Sequence, residues 1–427
     1  MRRPCSPVAV ALAVTVTGAA LLGAAPGAAM AQPAPPPPPV VTPDTSHCPH
    51  RMAPPPAVAD AAPEPGTAGP ASLPLPDEPV GGERMGECGT VLPAGAPPPP
   101  VGITAASWLI ADLDTGEVLA AKDPHGRHRP ASTIKLLTAL VAVETLPLDR
   151  VVTTTRVDAD IEGSSAGIGP GGRYTVRQLL AGLLLVSGND TAHALARTIG
   201  GQPTTLAAMN ARARELGATD TRAGTPSGLD VPGMSSSAYD MALIFREVLR
   251  TPALARLLAT PEVTFPGYRD HSRYLLGNQN RLLATYEGAL GGKTGFTDDA
   301  RHTFLGAAER DGHRLVAVLM RAEQKPTRTW EQAARLLDYG FALEPGTDVG
   351  RLVTGPPEPE PATTTPPPAQ DDLAAGRSPS GGADPASSSP DSAGTGTGTV
   401  IGSLLAGTAV LAGVLALLLR TRRDPRS

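Results

Sequence analysis

The sequence predicts an α/β fold of the α+β kind: strands from both ends of one domain form a single sheet, helices cover it, and a further set of helices is inserted between. Three observations predict it. Apolar runs at 107–111 and 117–120 flank turn residues at 112–116, the pattern of a hairpin. Helical patterns dominate from Ser132 to Leu249. Strand-like runs return at 290–297, 302–308 and 314–320, the last two joined by Arg310-Asp311-Gly312, before a closing helix over 329–343.

Taken in order, residues 1–31 read as a secretory signal: Arg2 and Arg3, an apolar stretch over 8–25, and Ala29-Met30-Ala31 as a small-x-small cleavage site. Residues 32–102 are dominated by Pro, Ala and Gly and lack the periodicity of a packed core, so they read as an extracellular stalk. With Cys5 in the signal, Cys48 and Cys88 remain as an even pair able to close a disulfide across that stalk. His47 and His50 flank Cys48, but no fourth ligand follows at a zinc-like spacing, and no metal is expected.

The globular domain is placed at 103–345, where about 240 residues are ample for a core. After the hairpin, Pro130 and Ser132 mark a helix start running to about Leu146. Further helices are expected at 175–186, 191–199, 204–216 and 237–249, the last entered through three serines and Asp240. Beyond it, 346–398 is a linker of Pro, Ser, Thr and Gly with no periodicity. Residues 399–419 are uncharged and mostly apolar, about 20 residues or roughly 30 Å of helix, enough to cross a bilayer. Arg420, Arg422 and Arg423 follow, which places the 420–427 tail in the cytoplasm.

A net charge of -5 offers no basic surface for nucleic acid. The basic residues are lopsided, since Lys122, Lys135, Lys293 and Lys325 are the only lysines among 36 Lys+Arg. A lysine can lose its proton where a guanidinium cannot. Two of the four fall in the short motifs Ser132-Thr133-Ile134-Lys135, Ser187-Gly188-Asn189 and Lys293-Thr294-Gly295. Residues three apart share a helix face, so Ser132 and Lys135 stand side by side at a helix start, a nucleophile with its base. Gly163-Ser164-Ser165-Ala166-Gly167 also fits a nucleophile elbow, but without the strand before it and the helix after it reads as a loop. His193 reads as a helix-surface residue, and Asp298-Asp299 as a solvated turn.

The trio, with Arg129-Pro130-Ala131, Gly188-Asn189-Asp190, Pro226-Ser227-Gly228-Leu229 and Gly292-Lys293-Thr294-Gly295-Phe296-Thr297-Asp298, resembles the serine D-Ala-D-Ala carboxypeptidases, the low-molecular-weight penicillin-binding proteins of peptidase family S11. That resemblance implies a β-lactamase/transpeptidase-like fold, with an antiparallel five-stranded sheet covered by helices and an all-helical subdomain. It implies Ser132 as the acylated nucleophile, Lys135 as its base and Ser187 as a proton relay. Asn189, Lys293, Thr294, Gly295 and, less well in register, Arg328 would bind substrate, and the backbone N–H groups of Ser132 and Phe296 would form the oxyanion hole. The implied partners are peptidoglycan stem peptides ending in D-Ala-D-Ala and β-lactams as covalent inhibitors, with no cofactor. The implied setting is a bacterial membrane, with one span and the catalytic domain outside. The motifs serve hydrolysis and D,D-transpeptidation alike. A non-catalytic β-lactam-sensing or wall-binding domain would be expected to lack Ser132 or Lys135, and both are present.

Overall fold

The computed structural model describes residues 42–58, 62–64, 66–344 and 346–356. The proposed signal, the membrane segment, the cytoplasmic tail and nearly all of the linker lie outside them. No helix among the described residues is long and apolar enough to cross a membrane.

In chain order the elements are β1 (Thr90–Val91), β2 (Ser107–Asp112), β3 (Glu117–Lys122), a 3-10 turn (Ala131–Ile134), α1 (Lys135–Thr145), β4 (Val151–Thr153), α2 (Arg156–Ala159), β5 (Arg173–Thr175), α3 (Val176–Leu185), α4 (Asn189–Ile199), α5 (Gln202–Glu215), α6 (Ala238–Arg250), α7 (Pro252–Leu258), β6 (Glu262–Phe265), β7 (Tyr274–Gly277), α8 (Arg281–Thr285), β8 (Ala289–Thr297), β9 (Arg301–Arg310), β10 (His313–Ala322), α9 (Thr329–Phe341) and β11 (Gly350–Arg351). Five long antiparallel strands lie in the order β3-β2-β10-β9-β8, and two-residue β1 and β11 both pair with β3. The sheet thus joins the two ends of the domain. Short ribbons β4-β5 and β6-β7 lie apart from it.

Helices cover both faces of the sheet, which is why its central strands are apolar runs rather than alternations. Leu109, Ala111, Val316 and Val318 enter one core with α1, α3 and α6, while Trp108, Ile110, Ala317 and Leu319 enter a second with α9. Ala333, Leu336 and Leu337 give α9 the one-sided stripe that this second core needs. By contrast α1 is buried over its first eight residues, and it packs against α3, α4, α5 and α6. Capping boxes fix the starts of α2 and α3, and the Ser237 side chain accepts from Asp240 N at the start of α6.

The stalk reading is corrected. The described part of 42–102 lies against the domain as an arm, closed into a loop on itself by the Cys48–Cys88 disulfide. Proline has no N–H to offer a sheet but keeps its carbonyl, and cations of the domain, the buried Lys122, Arg127 and Arg129 among them, donate to the arm's carbonyls. Lys122 Nζ donates to Pro43 O (2.6 Å), and the Arg127 guanidinium to Met52 O (3.0 Å), Leu73 O (2.7 Å) and Pro74 O (2.9 Å). Arg129 donates to Pro55 O (2.7 Å) and Arg222 to Ala71 O (2.8 Å). His125 faces Val80 O at 2.9 Å and Asp220 Oδ2 at 2.7 Å, so both ring nitrogens meet acceptors and the imidazolium form fits. These contacts use acceptors that hydropathy cannot reveal, and they add to the burial of Val80, Met85 and Val91 in the core.

Candidate active site

Ser132 lies in the 3-10 turn that runs into α1 at Lys135. Side chains three apart are eclipsed in that geometry, and Lys135 Nζ stands 2.7 Å from Ser132 Oγ. The amine, fully buried, also lies 2.7 Å from Asn189 Oδ1 and 2.5 Å from Ser227 O. The far side of the Asn189 amide donates to Glu162 O (2.7 Å), which fixes its orientation. Oδ1 and the carbonyl can only accept. They take the two N–H bonds of a neutral amine and leave its lone pair for the Ser132 hydroxyl. Burial pushes Lys135 well below the ordinary lysine value and Lys293 adds to this, while Asp190 works against it.

Ser187 ends the bend between α3 and α4, is buried, and holds a left-handed backbone (φ 62°). The next turn is set by Asp190. Its Oδ1 accepts from Ala166 N (2.9 Å) and Thr191 N (2.8 Å), and its Oδ2 from Ser165 Oγ (2.7 Å), Gly167 N (2.9 Å) and Ile168 N (3.1 Å). Asn189 N donates to Ser164 O (2.6 Å). The G-x-S-x-G stretch is thus a loop, as expected, but one tied directly to the site.

Strand β8 ends the sheet, so no other strand among the described residues pairs with its outer edge. Lys293 is buried, donates to Thr294 O (2.7 Å), and is pushed by burial down to about 7. A Cβ on Gly295 would lie 3.0 Å from Ser132 N and 2.3 Å from Thr303 Oγ1, so glycine is what lets the strand pass the nucleophile. Gly228 is held by the same squeeze from the other side, where a Cβ would meet Ala131 O at 2.0 Å at a φ of +85°. Thr303 Oγ1 donates to Pro130 O (2.9 Å). Phe296 is half-exposed, its ring 4.5 Å from that of His302.

Hydrogen bonds thus bring Ser132, Lys135 and Asn189 together, and the close approach of β8 sets Gly295 beside them. Arg328 stands at the start of α9 with an exposed side chain, its N–H donating to Glu331 Oε2 (2.9 Å), and no contact among the described residues joins it to Lys293 or Thr294. One expectation changes: Asp299 is buried rather than solvated, while His193 lies part-exposed on α4, as expected, with its ring 2.7 Å from Asp158 Oδ1. Sequence reasoning quoted Ser227 and Asp190 but gave them no role. Ser227 acts through its backbone, which leaves no side-chain signal, whereas an acid directly after a helix-opening motif is a signal for Asp190.

A sequence model of the family described as peptidase S11, D-alanyl-D-alanine carboxypeptidase, matches residues 94–324. The D-alanyl-D-alanine carboxypeptidase DacB2 of Mycobacterium tuberculosis is 51% identical over 61% of this chain and 90% of its own length. DacF of Bacillus subtilis is 34% identical over 56% of this chain, which spans 62% of that relative. Among solved structures, a D-alanyl-D-alanine carboxypeptidase from Mycobacterium tuberculosis aligns with TM-score 0.59 at 50% identity, over 61% of this chain and all of its own. The Streptomyces K15 DD-transpeptidase aligns with TM-score 0.54 at 29% identity, over 58% of this chain and all of its own. With a serine and a buried amine in hydrogen-bond contact inside the matched span, the chain belongs to the S11 family of D-alanyl-D-alanine carboxypeptidases.

Proposed function

We propose that this chain is a D-alanyl-D-alanine carboxypeptidase acting on peptidoglycan stem peptides, and that β-lactams acylate it. The observation that carries the reading is the 2.7 Å contact between Ser132 Oγ and a buried Lys135 Nζ whose other two partners can only accept. Lys135 takes the hydroxyl proton as Oγ attacks the carbonyl of the penultimate D-Ala. The tetrahedral oxygen is received by the N–H groups of Ser132 and Phe296. Ser187 passes a proton to the leaving amine, the C–N bond breaks, and D-Ala departs from an acyl-Ser132 ester that water then hydrolyses. Asn189 has a second N–H for the substrate's upstream amide. Lys293 and Thr294 meet the terminal carboxylate, and the unpaired edge of β8 receives the peptide backbone beside Gly295. For residues 399–419 and the arginines after them, we propose a membrane tether that holds the domain outside the cell. Truncation after residue 356 should then release the protein from the membrane fraction.

Fluorescent penicillin and a peptide ending in D-Ala-D-Ala test the enzyme reading directly. Wild type should be labelled covalently and release D-Ala, and Ser132→Ala should do neither. An unlabelled wild type, or a labelled alanine variant, would sink the nucleophile assignment. The likeness to the K15 DD-transpeptidase favours one second reading. If an amine acceptor added to the assay captures more acyl group than water does, transfer is the main reaction.

A further inference from the structure

The arm runs beside the stretch that leads into the nucleophile. Arg127 N–H donates to His50 O (2.9 Å), the Arg127 guanidinium to Met52 O (3.0 Å), and Arg129 to Pro55 O (2.7 Å). Three residues further along the arm, Val58 N–H donates to Asp299 Oδ1. Arg129 lies three residues before Ser132, and Asp299 three residues after Phe296. One short piece of arm therefore joins the flanks of the two residues whose amides form the proposed oxyanion hole.

Both anchors are firm. Arg129 is 8% exposed and Asp299 1%. Asp299 N–H also faces Asp230 Oδ2 (3.3 Å), and its carbonyl accepts from Arg321 (3.0 Å). Between Arg129 and Ser132 lies Ala131 with φ 48°, a conformation that residues with a Cβ hold only where their surroundings over-determine it. From inside the domain, Thr303 pins Pro130 and the close approach of Gly228 confines Ala131. From outside, the arm pins Arg129.

We propose that residues 55–58 brace the oxyanion hole, tying the lead-in of Ser132 to the end of β8 and so fixing the spacing of the Ser132 and Phe296 N–H groups. The proposal rests on the reading of Ser132 as the acylated nucleophile. Residues 55–58 lie outside residues 94–324, the span that the family model matches. Its role is positioning: it touches no substrate. An oxyanion hole stabilises the transition state through fixed donors, and a displacement of about 1 Å can cost on the order of a hundredfold in rate. Such a loss falls on kcat and not on ground-state binding.

The test uses the full-length chain. In one variant residues 54–72 are replaced by a short Gly-Ser linker that keeps Cys48 and Cys88. In that stretch Pro55 is the only buried residue among those described, so little core is lost. A second pair is Arg129→Gln and Arg129→Lys. Acylation by saturating penicillin, kcat and KM for a D-Ala-D-Ala peptide, and the thermal midpoint are measured on each. The brace predicts that acylation and kcat fall roughly tenfold or more in the linker variant and in Arg129→Gln. KM should stay within about twofold, and Arg129→Lys should recover much of the rate by keeping a cationic donor for Pro55 O. Undiminished acylation in variants with an intact thermal transition would overturn the proposal. So would a rise in KM at unchanged kcat, which would make the arm a wall of the groove. If the linker variant does not fold, the Arg129 pair decides. A wild type that takes no penicillin overturns the enzyme reading and the brace together, whereas a labelled wild type with unaffected variants overturns the brace alone.

Discussion

Lys135 can act as a base only while it is neutral, and its surroundings set the pH at which that holds. Burial and then Lys293 depress its folded value, so the neutral form prevails above that value and is lost as pH falls through it. The second-order rate of penicillin acylation should therefore decline on the acid side. Lys293→Ala removes the second cation, so the acid limb should move to higher pH, and an unmoved limb would contradict the coupling. Lys135→Arg cannot deprotonate and should lose at least about a thousandfold in acylation rate. The trio was legible in sequence because each motif is local and its residues act through side chains. Asp190 and Ser227 were not given roles because theirs depend on which loop the fold delivers to them.

Among the elements, α4 and the loop at 161–168 form one unit because a single buried carboxylate collects the loop's donors. Four of the five groups that Asp190 accepts from belong to residues 165–168. Asp190→Asn turns one acceptor oxygen into a donor facing donors. We expect a loss of about 1–3 kcal/mol in denaturant unfolding and faster amide exchange at 166–168. The same substitution should slow acylation, since the adjacent Asn189 holds Lys135. Long elements were legible: the structure's helices over 176–185, 202–215, 238–250 and 329–341 match the expected ones to within two residues at each end. The two-residue strands β1 and β11 were not, because periodicity needs four or more residues to register. Ribbon β4-β5, of three residues per strand, escaped for the same reason.

For the whole molecule, the sheet joins both ends of the domain and the disulfide ties the arm into a loop across it. With a sequence separation of 40, the loop-entropy relation gives about 4 kcal/mol for that bond. Cys48→Ser should lower the denaturant midpoint accordingly, and an unchanged midpoint would mean that the other contacts hold the arm unaided. The arm was misread as a stalk because composition reports which side chains can be buried, while much of this segment is held by its backbone oxygens, with only Val80, Met85 and Val91 among its described residues entering the main core.

That mode of attachment has a consequence for how such an arm changes over generations. Every residue presents the same carbonyl, so a surface that grips carbonyls reads the path of a chain and is nearly blind to its spelling. Apart from the buried Pro55, the side chains of residues 51–58 are thus free to drift so long as the trace is kept, while Cys48 and the arginines that grip the carbonyls are not. Relatives carrying an equivalent arm should betray it by guanidinium groups at positions matching Arg127, Arg129 and Arg222, even where the arm itself no longer aligns.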